Sequence, residues 1–159
     1  MTSLARPSRH RVLMEVARAF ASRGTCLRAR VGTCIARDGR VLVTGYNGPP
    51  AGLSHCDPVC QAAHIEGCSV AVHAEANAIA FSARHGISVE GAHLYTTHLP
   101  CLGCSQLIVN AGIRQVTYQN DYRLRGGLYL LRQAGVDIIA LDERIAIDEE
   151  ARQELHVED

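Results

Sequence analysis

Apolar residues recur along this chain with two spacings, one typical of helices and one of strands. Over residues 8–23 they follow the three- and four-residue intervals of an amphipathic helix, with Ser8 as its N-cap and Gly24 as the stop signal. Strand-like runs come next, at residues 31–37 and 40–44. The Asp-Gly pair between them predicts a tight β-hairpin.

Helices and strands alternate in the second half of the chain. Helices are predicted at residues 73–86, 100–112 and 127–134, and strands at 92–97, 114–118 and 136–141. This alternation is typical of βαβ units, which form parallel strand pairs. Because the hairpin adds an antiparallel pair, we expect an α/β fold with a mixed five-stranded sheet.

The chain ends in an acidic stretch. Residues 143–155 predict an exposed helix or tail, interpreted as a solvated face, with a partner-binding surface as the alternative. No internal repeat, low-complexity tract or linker interrupts residues 1–159. The length also suits one domain, so we expect a single domain with an acidic segment from about residue 143.

The sequence indicates a reducing cellular compartment. No apolar run approaches the ~18 residues of a membrane span, and no apolar signal region follows the arginines near the N-terminus. We therefore expect a cytoplasmic protein without a membrane partner. In that compartment the seven cysteines are expected to be metal ligands rather than disulfides.

The charge is balanced overall but unevenly distributed. Lys+Arg and Asp+Glu both number 16, which argues against a long nucleic acid as the main partner. All basic side chains are arginine, and nine of the 16 precede residue 41. Coding bias explains this composition; the alternative is that some arginines bind phosphate groups.

Two short motifs carry the candidate chemistry: His73-Ala74-Glu75 and, later in the chain, Pro100-Cys101-Leu102-Gly103-Cys104. One imidazole and two thiolates can hold a tetrahedral zinc ion and leave its fourth position open to water. Each motif lies at a predicted helix start, where unsatisfied backbone amides stabilise thiolates. His73, Cys101 and Cys104 are therefore predicted to be ligands of a catalytic zinc.

Glu75 is close enough to His73 to move protons at this site without binding the metal. The order and spacing of the two motifs are those of zinc deaminases, in which a glutamate is the general acid and base. Taken singly, His73 could be a core histidine, and Cys101 with Cys104 a redox pair or part of a non-catalytic zinc scaffold. The intact Glu75 favours an enzyme that deaminates a cyclic amidine.

Several longer stretches resemble the deoxycytidylate (dCMP) deaminases of the cytidine deaminase superfamily. The resemblance covers residues from about 8 to 141. It rests on the two zinc motifs, on Val31-Gly32, on Leu94-Tyr95-Thr96-Thr97 and above all on Gly45-Tyr46-Asn47-Gly48-Pro49-Pro50-Ala51-Gly52. It implies a three-layer α/β/α sandwich, a homo-oligomer (dimer or hexamer) and hydrolysis of dCMP to dUMP and ammonia.

The resemblance also implies substrate contacts. The implied residues are Asn47, Ala74, Asn77 and Tyr122. Read from its neighbours alone, Asn47 could be a turn residue, and Asn77 could be a cap or packing residue. Phosphate recognition is unassigned, with Arg28, Arg30, Arg123 and Arg125 as candidates.

A second cysteine cluster resembles the structural zinc site of some dCMP deaminases. Cys26, Cys56 and Cys68 match its places, and Cys60 or His64 could complete a tetrahedron. The alternative is a set of reduced core cysteines. Cys34, on a predicted strand, is interpreted as a small buried apolar residue.

The zinc motifs predict the reaction type more sharply than the substrate. Alternatives to dCMP are another free base, a nucleoside or a pyrimidine analogue. A polynucleotide-editing deaminase of tRNA or single-stranded DNA shares both motifs. The neutral charge, the acidic C-terminal stretch and the cysteine-rich insert argue against that alternative.

Overall fold

A computed structural model describes residues 6–56, 68, 70–122 and 124–141. In that part of the chain, five strands form one sheet with the order β2-β1-β3-β4-β5. The strands are β1 Gly32–Arg37, β2 Arg40–Tyr46, β3 His93–His98, β4 Gln115–Asn120 and β5 Asp137–Ala140. The helices are α1 Arg9–Ala21, α2 Ala74–His85, α3 Leu102–Asn110 and α4 Gly126–Gln133. The predicted acidic segment from about residue 143 lies outside the described residues.

The sheet is mixed, as predicted. β1 pairs antiparallel with β2 and with β3, whereas β3, β4 and β5 are parallel. Between β1 and β2 the chain reverses at Asp38 and Gly39, where both residues have positive φ, 52° and 75°. This is the backbone of a mirror-image hairpin turn, which Asp-Gly pairs favour, so the predicted hairpin is confirmed.

Helices cover both faces of the sheet and give the three-layer sandwich. On one face, α1 inserts Leu13, Met14 and Ala17 against Cys34 and Tyr95 of the sheet. On the other face, a larger apolar cluster joins the sheet to the remaining helices. It includes Ile35, Ala78, Leu94, Ile108, Val116 and Leu131. Residues 34 and 35 face opposite layers because side chains alternate along a strand.

The start of α2 lies unusually close to β2. A Cβ atom at Gly45 would lie 2.4 Å from the carbonyl oxygen of Ala74 and 2.9 Å from the amide nitrogen of Ala78. Only glycine fits this approach, since any larger residue would push α2 outward. Gly45 therefore sets the position of the first turn of α2, which follows His73.

Element boundaries differ from the predicted ones by one or two residues. Ser8 caps α1 as predicted, because its hydroxyl accepts a hydrogen bond from the Arg11 amide at 3.2 Å. β2 continues to Tyr46, two residues further than its predicted end. Within the described ranges, no helix combines the length and apolar character needed to cross a membrane.

Candidate active site

The two predicted motifs meet at neighbouring helix N-termini. His73 is the N-cap residue of α2, and Cys101 is the N-cap residue of α3, directly after β3 and the Leu99-Pro100 turn. Cys104 lies in the first turn of α3 and is buried. The backbone amides at both helix starts have no partner within their own helix and carry partial positive charge, so they favour thiolates here.

The spacing of these three side chains suits zinc. His73 Nδ1 lies 3.4 Å from the Sγ atoms of both Cys101 and Cys104. Zinc–nitrogen and zinc–sulfur bonds of about 2.0 and 2.3 Å at tetrahedral angles give a nitrogen–sulfur separation of about 3.5 Å. Among the described residues, His73, Cys101 and Cys104 are the one group of at least three histidine, cysteine or acidic side chains whose ligand atoms all lie within 4.8 Å of one another. The three residues fit a zinc ion with one open position.

The site favours an ionised thiol. Hydrogen bonds from the Cys104 thiol and the His73 imidazole lower the pKa of Cys101, whereas the hydrogen bond to Cys101 and burial raise the pKa of Cys104. In return, the thiolate of Cys101 raises the pKa of His73, although partial burial of the imidazole opposes this shift. Thiolate sulfur and imidazole nitrogen are the donors that zinc prefers.

Glu75 lies beside these ligands with only 4% of its surface exposed. Burial raises the pKa of its carboxyl group, while a hydrogen bond from its own backbone amide partly opposes the shift. A raised pKa suits a carboxyl group that must take up and release protons near neutral pH. The buried position of Glu75 fits a proton carrier, the role predicted for it.

A cavity of about 410 Å³ opens in front of these residues. It is lined by His73, Glu75 and Cys101 and by three of the predicted substrate-binding residues, Asn47, Ala74 and Tyr122. Tyr122 also packs against the small apolar cluster of Leu99, Tyr118 and Leu128. Two of the predicted ligands, His73 and Cys101, therefore share one cavity with Glu75 and these three residues, while Cys104 is buried next to them.

The two asparagines hold backbone segments in place. The Asn47 side chain accepts a hydrogen bond from the Val31 amide and donates one to the Ala29 carbonyl, each at 2.8 Å. It fixes the segment before β1 as one wall of the cavity. The Asn77 side chain donates to the Tyr46 carbonyl at 2.9 Å, and it lines a groove on another side of α2. Direct contact of either residue with substrate stays a prediction.

The cavity wall includes two further polar residues: Arg28, one of the four candidates for phosphate recognition, and His98, which the sequence motifs do not single out. Arg28 lines the cavity, whereas Arg30 and Arg125 are absent from its wall and Arg123 lies outside the described residues. Arg125 instead pairs with Asp121 at 2.8 Å. His98 also lines the cavity, at the carboxyl end of β3. Because binding sites of α/β folds lie at the carboxyl ends of strands, this position in the sequence could have indicated a role for His98. Burial lowers the pKa of His98, so the ring is neutral at neutral pH.

The second cysteine cluster is only partly described. Cys26 and Cys68 line the wall of the same cavity, and the Cys68 sulfur accepts a hydrogen bond from the Ala71 amide at 3.4 Å. Cys26, Cys56 and Cys68 do not lie within metal-ligand distance of one another as a group in the described chain. Cys60 and His64 lie outside the described residues, so the second zinc stays a prediction. Cys34 is fully buried, and burial raises the pKa of its thiol to about 12.

Comparisons with known proteins agree with this geometry. Residues 7–120 match the model of the cytidine and deoxycytidylate deaminase zinc-binding region. ComE operon protein 2 of Bacillus subtilis is 39% identical over 154 residues, covering 94% of this chain and 80% of the relative. The deoxycytidylate deaminase of Mycobacterium phage D29 is 39% identical over 129 residues, covering 74% and 99% of the two chains.

A solved structure has the same fold. The dCMP deaminase of cyanophage S-TIM5, in complex with dCMP and dUMP, has a TM-score of 0.75 and 33% sequence identity to this chain. The match covers 86% of this chain and 98% of the cyanophage chain. Together with the candidate zinc ligands at the two helix N-termini, these matches show that the chain belongs to the zinc-binding cytidine and deoxycytidylate deaminase family.

Proposed function

We propose that this protein is a hydrolase that converts dCMP and water to dUMP and ammonia. The observation that carries the proposal is the meeting of His73, Cys101 and Cys104 at zinc-ligand distance, beside the cavity that Glu75 lines. Relatives named deoxycytidylate deaminase and the dCMP complex of the cyanophage protein support this substrate.

In the proposed reaction, three side chains bind the metal and a fourth transfers protons. Zinc held by His73, Cys101 and Cys104 would lower the pKa of a bound water toward ~7. The Glu75 carboxylate accepts a proton from the water as its oxygen bonds to C4 of the cytosine ring. Glu75 passes this proton to ring nitrogen N3. It then takes the remaining proton from the new C4 hydroxyl and delivers it to the amino group as the C4–N4 bond breaks, which leaves a C4 carbonyl and ammonia. His98, Leu99 and Tyr122 line this cavity and would cover part of a bound base.

We assign Arg28 to the substrate phosphate. Among the described residues, Arg28 is the only arginine that lines the cavity. The Asn47 side chain fixes the backbone next to it through hydrogen bonds to Ala29 and Val31. A guanidinium group can bind phosphate through two hydrogen bonds at once. An arginine placed on a fixed segment would favour a nucleotide over the corresponding nucleoside.

A substrate panel tests the proposed function. Ammonia release should be compared for dCMP, CMP, deoxycytidine, dCTP and a single-stranded oligonucleotide. We expect kcat/KM for dCMP to exceed that for deoxycytidine by at least ~10-fold, because a charge-assisted phosphate contact contributes about 1.5–3 kcal/mol. Equal values for dCMP and deoxycytidine would contradict a nucleotide substrate, and preference for the oligonucleotide would indicate an editing enzyme.

The same panel with Arg28→Gln tests the phosphate contact. We expect kcat/KM for dCMP to fall ~10- to 100-fold while the value for deoxycytidine stays nearly constant. Arg30→Gln is the matched control, since Arg30 is exposed, is two residues away and does not line the cavity. Equal losses on both substrates would show that Arg28 supports the fold of the cavity instead of binding phosphate.

We further propose a second, structural zinc held by Cys26, Cys56 and Cys68, with Cys60 or His64 as the fourth ligand. Metal analysis of the purified protein should then give about two zinc ions per chain, and Cys56→Ser should lower the count to about one. Cys34→Ala is the control, because Cys34 is buried on β1 in another part of the fold. One zinc ion per chain in the unaltered protein would end this proposal.

We also propose a homo-oligomer in the cytoplasm. Homo-oligomers are implied by the resemblance to dCMP deaminases, and light scattering on the zinc-loaded protein gives the number of subunits. Thiolate zinc ligands suit the reduced cytoplasm because oxidation to disulfides would remove them.

A further inference from the structure

A second polar cavity, of about 300 Å³, lies at the other end of β3 from the active site. It is lined by the first turn of α1, the Asp38-Gly39 turn and His93 at the start of β3. The active-site cavity begins at His98, the last residue of the same strand. The two cavities have no lining residue in common. Neither the zinc ligands nor the proposed substrate contacts reach this second cavity.

Two arginines give this cavity a net positive charge. The Arg37 guanidinium donates to the backbone carbonyls of Ser88 and Glu90, at 2.6 and 2.9 Å. These carbonyls fix its position but supply no negative charge. The Arg9 side chain lies across the hairpin turn, with Cδ 3.3 Å from the position of a Cβ atom at Gly39. Among the described residues, neither guanidinium has a carboxylate partner within ion-pair distance.

Hydrogen-bonding side chains line the rest of the wall. The Tyr95 hydroxyl lies 3.3 Å from His10 Nδ1 and 3.0 Å from His93 Nδ1. The other ring nitrogen of His93 lies 2.8 Å from the Thr117 hydroxyl. This chain of contacts holds both histidine rings at the cavity, and His10 itself is partly exposed. Among the described residues that line the cavity, Asp38 is the only one with a carboxylate side chain.

We propose that this cavity binds a phosphate-type oxyanion, either inorganic phosphate or the phosphate of a small monoester. Arg9 and Arg37 supply the charge, since planar guanidinium groups match phosphate oxygens in geometry as well as sign. The ring nitrogen of His10 that does not contact Tyr95 supplies an additional hydrogen-bond donor. The assignment does not rest on the proposed deamination, because it uses none of the active-site residues.

Histidine side-chain NMR on the zinc-loaded protein tests the site. Inorganic phosphate and, separately, ribose 5-phosphate are titrated at pH 7.5 and constant ionic strength set with chloride. We expect saturable shifts of the His10 and His93 resonances in the millimolar range. The ligand with the lower Kd shows whether the cavity prefers free inorganic phosphate or the phosphate of a small monoester. No saturable shift with either ligand overturns the proposal.

Two substitutions with opposite expected effects make the test specific. Arg9→Gln, at an exposed position, should weaken phosphate binding at least ~5-fold. Asp38→Asn should tighten it ~2- to 5-fold, because a repelling charge is removed and asparagine tolerates the positive φ of this turn. A folding defect cannot produce tighter binding. An unchanged Kd in both variants overturns the proposal.

A third substitution separates this cavity from the active site. Arg28→Gln should leave the phosphate-dependent shifts of His10 and His93 unchanged. If Arg28→Gln abolishes these shifts, phosphate binds at the active site and the proposed second site is wrong. If the shifts persist while dCMP and deoxycytidine react equally fast, the oxyanion site stands and the proposed nucleotide substrate fails.

Discussion

Replacing Glu75 with glutamine is expected to lower kcat for dCMP by about 10²- to 10⁴-fold while the zinc content stays unchanged. The side chain is 4% exposed and lies beside His73 and Cys101, so an amide of nearly the same shape fills its place. An amide cannot accept a proton from water or return one to the leaving amino group. Ammonia release and metal content, measured on the same preparation, check the prediction.

The control is Glu90→Gln, an exposed glutamate before β3 that does not line the active-site cavity. It makes the same chemical change and should leave kcat within about twofold. Turnover retained in Glu75→Gln would remove Glu75 from the proton transfers. Loss of zinc together with activity would instead identify Glu75 as a metal ligand.

The meeting of the candidate zinc ligands could be predicted because their geometry is largely local. Cys101 and Cys104 belong to one helix start, and His73 and Glu75 to another, so each pair is fixed by a few neighbouring residues. The βαβ order then requires both helix starts to lie near one end of the sheet. Sequence spacing therefore predicts the zinc ligands, the proton carrier and the mixed sheet.

The residues that line the cavity are brought together by contacts between segments that are distant in the sequence. The spacing of motifs along the chain does not predict such contacts. Arg28 lines the site because the Asn47 side chain, far along the chain, binds Ala29 and Val31. Asn77 lies two residues after Glu75, yet its side chain turns to Tyr46 and away from the cavity. The helical rotation between positions 75 and 77 explains the difference, since residues two apart do not share a helix face.

A close contact behind the zinc ligands leads to a second prediction, for Gly127 at the start of α4. A Cβ atom there would lie 2.2 Å from the Pro100 carbonyl oxygen and 2.9 Å from the Cys101 carbonyl carbon. The first contact is with backbone, so Gly127→Ala must move α4 or the turn that presents Cys101. We expect the free energy of unfolding to fall by about 1–3 kcal/mol, the usual cost of overpacking.

Calorimetry should detect this change as a Tm lowered by about 2–12 °C, since 1 kcal/mol corresponds to about 2–4 °C for a chain of this size. Zinc should also dissociate faster in the presence of a chelator, because the Cys101 turn moves. Gly126→Ala is the control: a Cβ atom at this neighbouring glycine meets nothing within 4 Å. If Gly127→Ala matches Gly126→Ala in Tm and zinc release, α4 can shift freely and does not support the Cys101 turn. A lower Tm with unchanged zinc release would instead limit the role of Gly127 to helix packing, because the metal ligands would then be held by α3 alone.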